Sequence, residues 1–289
     1  MMVRPARFAF NEETAANNAF QHKLDGDVAE RAVEEFDSYV SMLRSNGITV
    51  DVIQDTPEPA TPDSIFPNNC ISTHGDTLVL YPMFAPNRRL EREKLLDTLL
   101  GYGFERIVDM TPMEDVGLFL EGTGSLVLDR ENLIAYACVS HRTDPTLVEQ
   151  WADVMGYTPV TFSAADLGGT SIYHTNVMMH VGSGYAVVCL DAVTDAGQRA
   201  LLAETVSKSG KELVEISLEQ MHQFAGNMLQ VHNDKGEELL VMSRSALMSL
   251  SRLQMETLEK YARILAPEIP IIETVGGGSA RCMIAEIFQ

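Results

Sequence analysis

No apolar run in this 289-residue chain reaches the roughly 18 residues that a membrane-crossing helix needs. The opening residues, MMVRPARFAF, lack the apolar stretch of an export signal. Both absences point away from membranes and secretion and towards the cytoplasm. Cysteine is scarce: Cys70, Cys138, Cys189 and Cys282 are widely spaced, with no CxxC pair and no Cys/His cluster at zinc spacing. A disulfide framework and a structural metal are therefore not expected, and the thiols should be free in a reducing compartment. Basic residues are few, 21 against 41 acidic, for a net charge of −20. A field of that sign repels phosphate backbones, which excludes nucleic acid as a partner. It would attract cationic ligands, although such a balance also serves solubility alone. Low-complexity segments and linkers are missing too. What remains, 45% hydrophobic and 21% charged residues, is ordinary for a globular protein.

The chain repeats itself. From Asn69, residues 70–82 read as a hairpin turning at His74-Gly75-Asp76. A helix over Asn87 to Gly101 follows, with Leu90, Leu95, Leu96, Leu99 and Leu100 on one stripe, and then the strand ERIVDM. The same order recurs in GSLVLDRENLIAYACV, turning at Asp129 to Asn132, then a helix opening on Asp144-Pro145, then TPVTFS. A third copy runs from NVMMHVGSGYAVVCL, turning at Gly182-Ser183-Gly184, through DAGQRALLAETVSKSG to ELVEIS. The fourth begins at Asn227, turns at Asn233 to Gly236, and continues through a helix over Arg252 to Ile264 to the strand PIIET. Matching positions lie 54 residues apart (Asn69 to Thr123), then 53 (to Asn176), then 51 (to Asn227). A helix over Val28 to Asn46 and the strand ITVDVI, paired with the terminal CMIAEIF, would supply a fifth unit. Five β-β-α-β units around an axis predict one α/β domain over residues 1–289, with a central cleft.

The chemistry concentrates at the junctions. Gly276-Gly277-Gly278 lets the backbone approach a ligand, and Cys282 follows at the mouth of a strand. Beside Arg281 and a histidine such a cysteine becomes a nucleophile; a tight turn before a buried structural cysteine is the plainer alternative. Of the seven histidines, His174 stands just before the third hairpin, whereas His180 lies within a strand. Phe66-Pro67-Asn68-Asn69 and Leu120-Glu121-Gly122-Thr123-Gly124 occupy the equivalent junctions of the first two units. Each polar residue alone suits a turn or cap. Together they converge.

FPNN, LEGTGS, YHTN and GGGSARCM, in this order, resemble the motifs of the pentein, or guanidino-group-modifying, superfamily, which includes arginine deiminases, dimethylarginine hydrolases and amidinotransferases. The N-terminal VRPARFAFNEETAANNAFQ and the C-terminal GGGSARCMIAEIF look most like its amidinotransferase-like or citrulline-utilisation branch. The resemblance covers nearly the whole chain and implies the pentein α/β-propeller, five ββαβ units with pseudo-fivefold symmetry. It implies Cys282 as nucleophile, His174 as general acid and base, and Glu121 as partner to the substrate's nitrogens and to His174. Phe66, Asn69 and Asn176 would contact substrate, and Arg142 would bind its α-carboxylate. No metal or organic cofactor is implied, the partner is a small-molecule substrate, and a homo-oligomer remains open. Asn69 and Asn176 replace aspartates of the arginine-specific pattern. Amides satisfy a neutral ureido group better than a buried guanidinium, which needs compensating charge. Citrulline is thus expected as the substrate, giving ornithine, ammonia and carbon dioxide. Arginine deiminase or dimethylarginine hydrolase activity is the alternative, ahead of an amidinotransferase or a non-catalytic binding protein of the same fold.

Overall fold

The computed structural model describes residues 1–288. Among them the strands form four three-stranded sheets and one two-stranded sheet. In the two-stranded sheet β1 (Met2–Arg4) runs parallel to β2 (Val52–Gln54). The others share one pattern: an antiparallel hairpin, then a helix-bearing crossover, then a third strand parallel to the second. They are β3–β5 (Ile71–His74, Thr77–Leu80, Arg106–Asp109) and β6–β8 (Leu126–Asp129, Ile134–Cys138, Thr158–Phe162), then β9–β11 (Met179–Val181, Tyr185–Val188, Glu212–Glu215) and β12–β14 (Leu229–His232, Glu238–Val241, Arg263–Leu265).

The crossover helices form for local reasons. Asp144 accepts from the backbone N–H groups of Thr146 and Leu147 at 2.9 and 3.2 Å, and Pro145 opens the helix Pro145–Met155. Leu147, Val148, Trp151 and Ala152 form its buried stripe. Burying the larger of these side chains stabilises by roughly 2 kcal/mol each. Trp151 also donates its indole N–H to Tyr81 Oη at 2.8 Å, tying the second unit to the first.

Three elements of the fourth and fifth units differ from the expectation. The fourth helix covers only Arg252–Leu258, and the strand completing its sheet is Arg263–Leu265. PIIET is instead a helical turn, Ile272–Gly276. The cause is Glu35, on the helix Val28–Ser45, whose carboxylate accepts from the backbone N–H groups of Ile271 and Ile272 at 2.9 and 3.0 Å and so caps a helix start. The terminal CMIAEIF forms no regular strand in the described residues; Met1 and Ala285 exchange backbone hydrogen bonds at 2.8 and 3.0 Å. The two ends of the chain meet in the fifth unit.

Candidate active site

Each unit enters its sheet through a short turn, and the turns meet. Pro67–Asn69 packs on Gly122–Ser125, which packs on Thr175–Val177. The Asn227 side chain donates to the carbonyl of Asn176 at 2.9 Å and accepts from the backbone N–H of Arg281 at 3.0 Å, joining the fourth turn to its neighbours. The fifth turn, Ala280–Met283, packs back on Pro67–Asn69 and closes a ring. Cys282 follows Asn227 by 55 residues (282 − 227), matching the spacing of the other turns.

Within this ring, His174 Nε2 lies 2.8 Å from Glu121 Oε2, both buried. An ionised carboxylate only accepts, so the imidazole proton sits on Nε2 and Nδ1 carries the lone pair. Burial would push the Glu121 carboxyl up, but Arg142, His174 and Arg88 outweigh it and bring it down to about 2. Burial pulls the His174 imidazole down to about 4, against the opposing pull of Glu121. At neutral pH the pair is a carboxylate and a neutral base. Gly124 makes room for it: a Cβ there would lie 2.7 Å from His174 Nδ1 and 2.4 Å from Asn69 Nδ2. Cys282 is 3% exposed, and its sulfur is approached by two amides, Asn227 Nδ2 at 3.2 Å and Asn176 Nδ2 at 3.5 Å.

Five of the seven residues singled out in the sequence line one cleft: Phe66, Asn69, Arg142, His174 and Cys282. Glu121 stands behind His174, and Asn176 lies against the sulfur. Arg142 donates to Asn17 Oδ1 and the Thr14 carbonyl, lies 3.5 Å from Glu121 and stacks over the Tyr173 ring. Asn69 Oδ1 accepts from Arg88 at 2.8 Å. The sequence reading missed Arg88 and Asp63, which also line the cleft. Arg88 forms a two-point ion pair with Glu91 at 2.9 and 3.0 Å. Asp63 Oδ2 accepts from Asn11 and Thr14, while Asp63 Oδ1 is buried without a hydrogen-bond partner among the described residues. Burial pushes the Asp63 carboxyl up despite Arg88. Only Asp63's place beside the FPNN motif hinted at it.

The cleft holds about 10 Å³, room for a water at most. It is closed by the N-terminal segment: Asn18 donates to the Gly277 carbonyl at 3.2 Å and Gln21 to that of Val275 at 3.2 Å. A larger cavity, about 250 Å³, lies along β6, β9 and β12; its walls include Thr123 and Asn176 but neither Cys282 nor His174. Among the described residues no group of three or more His, Cys, Asp or Glu side chains is placed to hold a metal ion. No helix there is long and apolar enough to cross a membrane.

A family model described as N,N dimethylarginine dimethylhydrolase, eukaryotic, matches residues 4–289. The chain belongs to the dimethylarginine dimethylhydrolase family of the pentein superfamily. The mixed α/β arrangement of small sheets is that of other penteins. ArgZ, an arginine dihydrolase from the ornithine-ammonia cycle in Cyanobacteria, aligns with 100% of this chain at 19% identity and a TM-score of 0.79. This pentein spans only 40% of that ArgZ chain. It matches the N-terminal domain of ArgZ, solved with substrate, over 98% of its own length and 95% of that domain, at 19% identity and a TM-score of 0.78. A dimethylarginine dimethylaminohydrolase adduct with S-methyl-L-thiocitrulline aligns with 98% of this chain and 96% of its own, at 14% identity and a TM-score of 0.69. At these identities the likeness establishes the fold. No curated protein sequence matches.

Proposed function

We propose that this pentein is a cytoplasmic hydrolase, one catalytic domain over residues 1–289, that cleaves a carbon–nitrogen bond at the guanidino or ureido carbon of an arginine-like amino acid. The observation that carries the reading is the neutral His174, held by ionised Glu121, sharing a closed cleft with a sulfur bracketed by two amides. Cys282 passes its thiol proton to neutral His174, the resulting thiolate adds to the central carbon, and His174 delivers that proton to the departing nitrogen, which leaves as an amine. An S-linked intermediate remains. His174 then takes a proton from water, hydroxide attacks the same carbon, and the C–S bond breaks to restore the thiolate. Glu121 holds the imidazole tautomer and offsets its charge while it is protonated. Phe66, Asn69 and Asn176 position the reacting group, and Arg142 binds the α-carboxylate.

Citrulline is the substrate favoured by the charges. The donors on the sulfur are neutral amides, and Glu121 is already committed to His174, Arg142 and the backbone N–H of Phe84. A guanidinium at the sulfur would lack a carboxylate of its own. A second reading, hydrolysis of arginine or N,N-dimethylarginine, draws support from the family model and from the unpartnered Asp63 oxygen, which suits a cationic ligand. Steady-state kinetics on the three compounds separates them. The ureido reading expects the highest kcat/KM with citrulline, and an arginine value tenfold above it would overturn that choice. Cys282→Ser should fold normally and release neither ammonia from citrulline or arginine nor dimethylamine from N,N-dimethylarginine; retained turnover would refute the mechanism.

A further inference from the structure

The fourth turn of the ring brings Asn227 to the centre, a residue to which the mechanism above gives no role. Asn227 is fully buried, and every polar atom of its side chain is engaged. Oδ1 accepts from the backbone N–H of Arg281 at 3.0 Å, and Nδ2 reaches both the Asn176 carbonyl at 2.9 Å and Cys282 Sγ at 3.2 Å. Bridging neighbouring turns would need only the first two of these contacts. An amide nitrogen carries two hydrogens, and here the second is aimed at the sulfur.

We propose that Asn227 is a further catalytic residue: its amide stabilises the Cys282 thiolate through a direct N–H···S contact while its carbonyl fixes the backbone that carries the sulfur. The physical need is plain. A thiolate out of water requires donors, and an amide supplies one without competing with substrate for charge. Asn176 provides a second, longer contact at 3.5 Å. One side chain thus sets both the position and the ionisation of the nucleophile. The ionisable groups around the sulfur are His174 and Tyr173 from the third unit, Tyr39 from the long N-terminal helix and Arg281 beside it, with Asp63, Arg88 and Arg142 on the cleft wall. Of these, Asn227 holds only Arg281, through its backbone N–H, and N227D keeps the acceptor for that contact.

The inference rests on Cys282 being the nucleophile, and the test reads the sulfur directly, without turnover. The rate of Cys282 alkylation by iodoacetamide is measured against pH in the full-length wild type, N227L and N227D, by mass spectrometry of the Cys282 peptide. N227L keeps the approximate volume and removes both contacts. N227D keeps the acceptor for Arg281 N–H but turns a carboxylate on the sulfur. The alkylation midpoint should rise by about one to two pH units in N227L, and at least as far in N227D. The rate at pH 7 should fall correspondingly, by roughly 10- to 100-fold. A purely structural residue would lower the melting temperature and leave the midpoint in place, which would overturn the proposal. Should N227L fail to fold, N227D decides alone, and an unmoved midpoint there sinks the idea. If wild-type Cys282 reacts no faster than Cys70, Cys138 and Cys189, the nucleophile assignment falls and this role with it; a fast wild-type Cys282 with unmoved variants removes Asn227 only.

Discussion

Glu121→Gln removes a charge at the centre of the site while changing its shape hardly at all. The glutamine oxygen can still accept from the backbone N–H of Phe84, now at 3.0 Å from Oε1. What disappears is the charge-assisted contact of 2.8 Å to His174 Nε2. A hydrogen bond to a charged group contributes about 1.5–3 kcal/mol. In the proposed reaction most of it is needed when His174 carries a proton between Cys282, the leaving nitrogen and water. A loss of about 2–3 kcal/mol at that stage lowers kcat by roughly 30- to 150-fold. The titration should move as well. Burial lowers the His174 imidazole and Glu121 is the main influence raising it, so removing the carboxylate shifts the acidic edge of the kcat profile to lower pH. The assay is ammonia release under saturating substrate from pH 3 to 8, with a melting curve to confirm folding. A kcat within threefold of wild type, or an acidic edge that moves upwards, would refute the assigned pairing.

Gly277→Ala should loosen the closed cleft. The residue has φ +63°, and a Cβ there would lie 2.4 Å from Gln21 Cγ and 2.5 Å from Asn18 Nδ2. About 1–2 kcal/mol of stability should be lost, seen as a drop of roughly 2–6 °C in melting temperature, together with a raised KM; an unchanged Tm and KM would contradict the packing described. His180→Gln should flatten the response to acid. Burial holds the His180 imidazole at about 3, below the 6.5 of the unfolded chain. The unfolded state therefore binds more protons between those values, and stability is lost as pH falls through that window, by about 1.4 kcal/mol per unit. Urea unfolding at pH 6.5 and pH 5 should show the wild type losing about 2 kcal/mol more than the variant; equal losses would refute the neutral buried imidazole.

Much of this arrangement is visible in the chain itself, and the exceptions have physical causes. Caps such as Asp144-Pro145 and hairpin turns such as Gly182-Ser183-Gly184 act locally, so four units and their spacing emerge from the residues alone. PIIET misleads because its fate is set by Glu35, more than 200 residues earlier, and an apolar run of five residues does not reveal a distant cap. The fifth unit is obscured because its parts lie at opposite ends of the chain. Cys282, His174 and Glu121 carry motif contexts that point to them. Arg88 does not: the buried Arg88–Glu91 pair has the spacing of an ordinary exposed helix pair, and only the surrounding walls distinguish the two. Asp63 is marked only by its place beside FPNN, because the burial of its carboxylate depends on residues distant in the chain, such as Asn11 and Thr14.

Asn69, Thr123, Asn176 and Asn227 each stand two or three residues before the first strand of their sheet, Cys282 follows Asn227 at a matching interval, and of these five residues a single one carries sulfur. On the proposed mechanism, reactivity is a departure from the repeat rather than an added element. The frame that orients the four other members orients the fifth at no further structural expense, so exchanging one side chain in the ring can redirect the chemistry while the strands and helices behind it stay as they are.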